Sequence, residues 1–224
     1  YWEKEVDYMI GAQLEGFDTM VHLTDENDFM LIEGDEYLSS PIDRRPKFLW
    51  YKPHVTLISG IAWDHINVFP TEENYIEQFR TYIDSIMPGG VLVYNELDSV
   101  LEQISKESQN TIRKEAYHVP EYFIEEGVTY LKTDEGDLPL EVFGEHNLSN
   151  IAGAKWICQL MGVDAAEFLE AISSFKGASK RLEKIGDNGS SFLFKDFAHA
   201  PSKVKATSDA VAQQFEEHHK VYCL

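Results

Sequence analysis

Two short, β-branched apolar runs, Val55-Thr-Leu-Ile-Ser59 and Val91-Leu-Val-Tyr94, flank a segment whose apolar residues repeat at helical spacing. No other feature of the chain restricts its fold as strongly. Between the runs, Tyr75, Phe79, Tyr82, Ile83 and Ile86 fall on one helical face after Thr71-Glu72-Glu73, and Pro88-Gly89-Gly90 stops the helix. Apolar strand, helix, apolar strand is the crossover unit of a parallel sheet, whose strands are covered on both faces. Val6–Ile10 and Phe29–Ile32 read as two more buried strands of the same kind. The fold class expected is therefore α/β with a mainly parallel sheet.

From about Thr111 to Phe143 the pattern shifts to short alternating segments around the turn Thr133-Asp-Glu-Gly136, which predicts a small antiparallel meander. A helix follows over Asn147–Met161, closed by Gly162, and Asp164-Ala-Ala-Glu167 is a capping-box start for a helix over Phe168–Phe175. After Gly177 come strands near Leu182–Ile185 and Phe192–Phe197, a helix from Pro201 to about Glu217, and a strand-type run Lys220–Leu224. We place a boundary near Gly177–Ser179, giving a domain over 1–178 and the beginning of another over 179–224. The second piece, roughly 45 residues, is too short for an independent core. A strand-type run at 220–224 expects neighbours that few residues here supply, and the chain opens on Tyr1-Trp2, so it reads as a fragment of a longer protein.

The composition is that of a folded protein, 43% hydrophobic and 26% charged, with no Pro/Gly/Ser tract. Asp and Glu outnumber Lys and Arg 39 to 19, a formal charge of -20, which disfavours nucleic acid and anionic membrane surfaces as partners. No apolar run reaches the roughly 20 residues of a membrane span. Cys158 and Cys223 form no metal-type spacing, and Cys158 reads as a buried side chain of a cytoplasmic protein. Nothing in the sequence sets the oligomeric state.

Four clusters carry chemistry. Leu31-Ile-Glu33-Gly-Asp-Glu36 delivers three carboxylates past the end of an apolar strand, where ligands bind in open α/β sheets; it reads either as hard-cation ligands or as an acidic turn. Ser59-Gly-Ile-Ala-Trp-Asp64-His65-Ile-Asn67 repeats the arrangement after a second strand, with His65 either a ligand-site residue or a structural one. Gly144-Glu-His-Asn147-Leu-Ser-Asn150 sets two carboxamides three apart at a helix start, able to read an adenine edge or to cap the helix. Last, Lys180-Arg181 and Asp196-Phe-Ala-His199 place charge near the expected boundary, suited to phosphate and to a ribose hydroxyl, or simply to solvent.

Taken in order, these segments resemble the Mur ligases, which join an amino acid or peptide to a UDP-muramoyl carboxylate while ATP becomes ADP. Glu33-Gly-Asp-Glu-Tyr37, Asp43-Arg-Arg-Pro-Lys-Phe48, Trp63-Asp-His-Ile-Asn67, Phe175 through Glu183, Asp196-Phe-Ala-His199 and Gly11-Ala-Gln-Leu-Glu-Gly-Phe17 look most like the branch that couples L-alanyl-γ-D-glutamyl-meso-diaminopimelate to UDP-N-acetylmuramate in peptidoglycan recycling. The branch that adds L-alanine is the nearest alternative, and a non-catalytic nucleotide-binding module is another. The resemblance implies a P-loop-type central domain followed by a truncated Rossmann-like domain. It implies ATP and Mg²⁺, with Glu33 and His65 at Mg²⁺ sites, Asn147 and Asn150 at adenine, Arg181 and Asp196 near phosphate and ribose, and His199 facing the amine. The family's G-x-x-x-x-G-K-[ST] loop does not occur in these 224 residues, so the chain by itself is expected to be inactive. The carbamylated lysine that some members place beside the metal is absent too: no Lys lies between Lys52 and Lys106, and Arg80 falls at about that point.

Overall fold

The computed structural model describes residues 5–11 and 17–216. The chain divides into two compact units, one built from 1–33, 120–148 and 163–224, the other from 34–119 and 149–162.

The first unit opens with a three-stranded sheet of β1 (Asp7–Met9), β2 (Val21–His22) and β3 (Met30–Ile32), in which β1 pairs parallel with β3 and antiparallel with β2. Asp7, buried at the start of β1, accepts from the Thr24 amide at 2.8 Å, the Thr24 hydroxyl at 2.9 Å and the Asn27 side chain at 2.8 Å. Those three bonds satisfy a carboxylate that burial alone would penalise. The expected strands are present here, but β3 is an edge with Met30 and Leu31 exposed, not a strand buried on both faces.

The second unit is the strand–helix–strand pattern realised: β4 (Val55–Ile58), α1 (Glu72–Ser85), β5 (Val91–Asn95), α2 (Ser99–Glu107) and β6 (Arg113–Tyr117). The sheet order is β4-β5-β6, all parallel, with Val55 opposite Val91 and Val91 opposite Arg113. Thr71 caps α1 by accepting from the Asn74 amide at 3.2 Å. Tyr75, Ile76, Phe79, Tyr82 and Ile83 of α1 pack with Leu92, Leu101 and Ile104 into one core. Burial of each large apolar side chain there contributes about 1.5–3 kcal/mol. The sequence pattern had assigned 113–117 to the meander; the structure instead gives it to the parallel sheet. Its polar alternation, Arg-Lys-Glu-Ala-Tyr, belongs to an edge strand, whose exposed positions need not be apolar.

The meander proper belongs to the first unit: β7 (Tyr122–Glu125), β8 (Val128–Thr133) and β9 (Gly136–Leu140), antiparallel and in that order. The helix α3 (Glu145–Leu160) follows Gly144, whose φ of 88° is open to glycine, and α4 (Ala165–Ser173) starts at Asp164 with both capping-box bonds in place. A hairpin of β10 (Glu183–Asp187) and β11 (Phe192–Lys195) leads to α5 (Pro201–Gln214), with Pro201 in its first turn. Within this unit the buried Gln214 of α5 accepts from the Thr129 hydroxyl at 2.7 Å and donates to the Gly127 carbonyl at 2.6 Å, while Phe215 stacks on Phe192. The strand expected at Lys220–Leu224 and most of the Gly11–Phe17 motif lie outside the described residues.

Candidate functional site

In the second unit, polar groups gather at the carboxyl ends of β4, β5 and β6, where a parallel sheet leaves a crevice for ligands. The loop after β4 is pinned to the other two strand ends. Asn95 donates to the Ser59 carbonyl at 3.1 Å, and Asp98 accepts from the Ile61 amide at 2.7 Å with one oxygen and from the Leu101 amide at 3.0 Å with the other. Asp98 is thus both the cap of α2 and the anchor of the loop.

His65 sits in that loop with φ 55°, a left-handed conformation that costs a non-glycine residue energy and is held only where the surroundings enforce it. Its carbonyl accepts from the Val68 and Phe69 amides at 2.7 and 2.9 Å, and its own amide donates to Asp64 at 2.7 Å. The ring nitrogen Nε2 lies 3.1 Å from Glu36 Oε1, and Tyr37 meets the ring edge-on at 5.1 Å. Asn67 in turn donates to the Tyr37 hydroxyl at 3.1 Å. Burial pushes the Asp35 carboxyl up, but the hydrogen bond from Lys47 at 2.6 Å and the Tyr37 amide at 2.8 Å outweigh it and hold that carboxyl below the usual carboxylate range. Glu96 and His118, 3.0 Å apart, add a second carboxylate–imidazole pair at the ends of β5 and β6. Sequence reasoning named Glu36 only within an acidic triplet and passed over Glu96 and His118. Glu96 could have been found from its place just past the apolar run Val91–Tyr94, whereas His118 had no such signal because its strand, β6, is polar.

In the first unit, Glu33 follows β3 directly and is exposed, and its Oε2 accepts the Gly11 amide just past β1. A Cβ on Gly11 would stand 2.9 Å from that oxygen, so any larger residue there would displace the Glu33 carboxylate from the amide. Asn147 donates to the Phe143 carbonyl at 2.9 Å, and Asn150 is exposed one turn further along α3. Asp196 accepts from the Leu182 and Ala198 amides at 3.2 and 3.3 Å. The Arg181 guanidinium lies 5.8 Å from the Phe197 ring, which His199 also meets edge-on at 5.3 Å. Three residues picked from the sequence, Arg181, Asp196 and His199, therefore surround one hairpin. His146, which sequence reasoning did not single out, belongs with them: burial lowers its pKa, and the charge of Asp196 works against that shift.

Arg80, at the position considered for the carbamylated lysine, forms a surface ion pair with Glu107 at 2.6 Å. Among the described residues, no group of three or more His, Cys, Asp or Glu side chains converges as a complete metal cage. An exposed carboxylate such as that of Glu33 is the hard oxygen donor that Mg²⁺ takes, an ion that usually binds one or two protein carboxylates and completes its shell with water and phosphate oxygens.

The sequence profile of the Mur ligase middle domain matches residues 13–158. The chain belongs to the Mur ligase family. Among relatives, it is 30% identical over 220 residues to the UDP-N-acetylmuramate–L-alanyl-γ-D-glutamyl-meso-2,6-diaminoheptandioate ligase of Escherichia coli K12, covering 91% of this chain and 46% of that enzyme. It is 28% identical over 204 residues to the UDP-N-acetylmuramate–L-alanine ligase of Phocaeicola vulgatus, covering 88% of this chain and 43% of that one. This Mur ligase chain thus spans less than half the length of those relatives. Its fold is also that of a UDP-N-acetylmuramate–alanine ligase from Thermotoga maritima, with TM-score 0.69, 16% identity and coverage of 95% of this chain and 49% of the other. A murein peptide ligase from Psychrobacter arcticus gives TM-score 0.65 at 21% identity, covering 93% and 49%. No helix among the described residues is long and apolar enough to cross a membrane.

Proposed function

We propose that this chain is the central, nucleotide-binding part of a cytoplasmic ATP-dependent ligase that joins L-alanyl-γ-D-glutamyl-meso-diaminopimelate to UDP-N-acetylmuramate during peptidoglycan recycling. The observation that carries the reading is the match of residues 13–158 to the Mur ligase middle domain, coincident with polar strand ends of the kind such a site needs. In this reading ATP phosphorylates the muramoyl carboxylate, and the amine of the tripeptide attacks the resulting acyl phosphate, expelling inorganic phosphate. Bound Mg²⁺ supplies charge neutralisation on the transferring phosphoryl group.

The chain's own residues contribute positioning. Glu33 and His65 are the residues we assign to the metal, the first as a hard oxygen donor; the imidazole role rests on the family resemblance. Glu36 and Tyr37 fix the His65 ring, and the strained His65 backbone aims it. Asn147 and Asn150 recognise adenine, Arg181 and Asp196 engage phosphate and ribose, and His199 faces the incoming amine. The G-x-x-x-x-G-K-[ST] loop that cradles the β- and γ-phosphates in the family is not in this sequence, so the activity belongs to the full-length protein that contains it.

Domain limits of 1–178 and 179–224 belong to the same proposal, with Arg181 and Asp196 just past the boundary. A second reading, ligation of L-alanine, is favoured by the Phocaeicola vulgatus relative. The test is phosphate release by the full-length protein with ATP, Mg²⁺ and UDP-N-acetylmuramate, offered the tripeptide or L-alanine. Release with the tripeptide alone supports the recycling ligase; release with L-alanine alone transfers the protein to the other branch; release with neither removes the proposed activity.

A further inference from the structure

Arg181 stands at the apex of a turn whose two flanking residues are both bent into the left-handed region: Lys180 has φ 59° and Leu182 φ 47°. Neither is glycine, and leucine is too bulky to adopt that conformation without cost, so the surroundings must hold the chain there. The Arg181 amide closes the turn by donating to the Ala178 carbonyl at 3.1 Å, and Gly177 passes so near that a Cβ on it would stand 3.7 Å from the Arg181 carbonyl. Two carboxylates hold the flanks. Glu183 accepts the Lys180 amide at 2.8 Å, with the Ser179 hydroxyl 3.5 Å from the same oxygen, and Asp196 accepts the Leu182 amide at 3.2 Å. Glu183 opens β10 opposite Lys195, the last residue of β11, so it and Asp196 sit at the same end of the hairpin. Each strained residue therefore has its amide bound to its own carboxylate, and the hairpin fixes both carboxylates in place.

Lys180 and Arg181 are exposed, so packing of their side chains does not impose this conformation. The turn carries the Arg181 guanidinium to 5.8 Å from the Phe197 ring, which His199 meets from another side. Strain kept at an exposed, cationic apex is what a binding residue needs when its side chain has to be aimed before the ligand arrives. We propose that Glu183 is a positioning residue for Arg181: its carboxylate holds the left-handed Lys180 backbone so that the guanidinium is presented, already ordered, to a phosphate group of the nucleotide. The proposal rests on the reading of Arg181 as a phosphate-binding residue. Glu183 itself touches no phosphate, since the two anions repel and its oxygen is taken up by the Lys180 amide. Its removal acts only through Arg181: the turn relaxes, and the fraction of molecules with the guanidinium in place falls.

The experiment uses the full-length protein and reads ATP affinity at equilibrium for wild type, Arg181→Ala, Glu183→Ala, Glu183→Gln and the double substitution of Arg181 and Glu183 by Ala. Arg181→Ala is expected to weaken ATP binding about tenfold or more, the worth of a hydrogen bond between charged groups. No ATP binding by wild type, or an Arg181→Ala affinity equal to wild type, would overturn the phosphate reading of Arg181 and the positioning role with it. Beside that loss, Glu183→Ala is expected to weaken binding about three- to tenfold, bounded by the one bond it deletes. Glu183→Gln should stay within about twofold of wild type, because its amide oxygen still accepts the Lys180 N–H. The double variant should bind no more weakly than Arg181→Ala alone, since Glu183 acts through that side chain. Unchanged affinity in Glu183→Ala, a Gln variant as weak as Ala, or losses that add in the double variant would each overturn the positioning role and leave that of Arg181 standing.

Discussion

Replacing Asp98 by Ala tests how the strand-end loop is held. Two separate oxygens of this carboxylate serve two separate amides, Leu101 in the first turn of α2 and Ile61 in the loop that leads to His65. Loss of the helix cap costs about 1 kcal/mol. The Ile61 amide belongs to a residue only 4% exposed, and leaving such a donor unmade costs about 1–3 kcal/mol. Asp98→Ala should therefore destabilise the second unit by about 2–4 kcal/mol, a drop in urea midpoint on the order of 1 M or more. Asp98→Asn is the sharper half of the test. Asparagine caps as well as aspartate but keeps only one oxygen, so it can satisfy one amide and must turn its NH₂ toward the other. Its loss should be intermediate, about 1–2 kcal/mol. Urea unfolding followed by circular dichroism reads both. An Ala variant within about 0.5 kcal/mol of wild type, or an Asn variant as damaged as Ala, would refute the reasoning that each oxygen holds its own amide.

Leu101→Ala, at a fully buried core position, should cost about 2–5 kcal/mol by the same unfolding assay. Gly144→Ala should also destabilise, because its φ is 88° and a Cβ would stand 2.5 Å from that of Ala210; a stability equal to wild type would show that this turn can relax. Burial holds the folded-state pKa of His146 below the ordinary 6.5, so below that pH the folded form binds fewer protons than the unfolded one. Its contribution is complete above pH 6.5 and is lost as pH falls through that value toward the folded pKa, and His146→Gln should remove this part of a stability–pH profile. Glu33→Ala in the full-length protein should abolish Mg²⁺-dependent phosphate release while leaving the unfolding transition in place; an unchanged rate would reduce Glu33 to a turn residue.

The sequence made the second unit largely legible because its core uses strong, redundant signals. The apolar face from Tyr75 to Ile83 and the Thr71 cap appear where the residue pattern put them, and in the first unit so does the Asp164 capping box. It failed where the signals are weak. The helix α2 has only nine residues and three apolar positions, Val100, Leu101 and Ile104, so periodicity was too short to declare it, although Asp98 followed by Glu102 marked its start. Strand β6 was misassigned because an edge strand carries polar residues on its open side.

The site divides the same way. The carboxylates and His65 were visible as polar groups at the ends of apolar runs. The pairing of Glu36 with His65, twenty-nine residues apart, depends on how the loops fold back, and no local pattern encodes it. The same holds for the close approach of Gly153 on α3 to Tyr117 on β6.

The most direct test of the central claim follows oxygen during turnover by the full-length protein. UDP-N-acetylmuramate labelled with heavy oxygen in its muramoyl carboxylate is incubated with ATP, Mg²⁺ and the tripeptide, and the inorganic phosphate is analysed by mass spectrometry. Passage through an acyl phosphate predicts that one labelled oxygen moves from the carboxylate into phosphate for each amide formed, with ADP as the other product. Amide formation with unlabelled phosphate, or no ATP cleavage in the presence of all three substrates, would contradict the account.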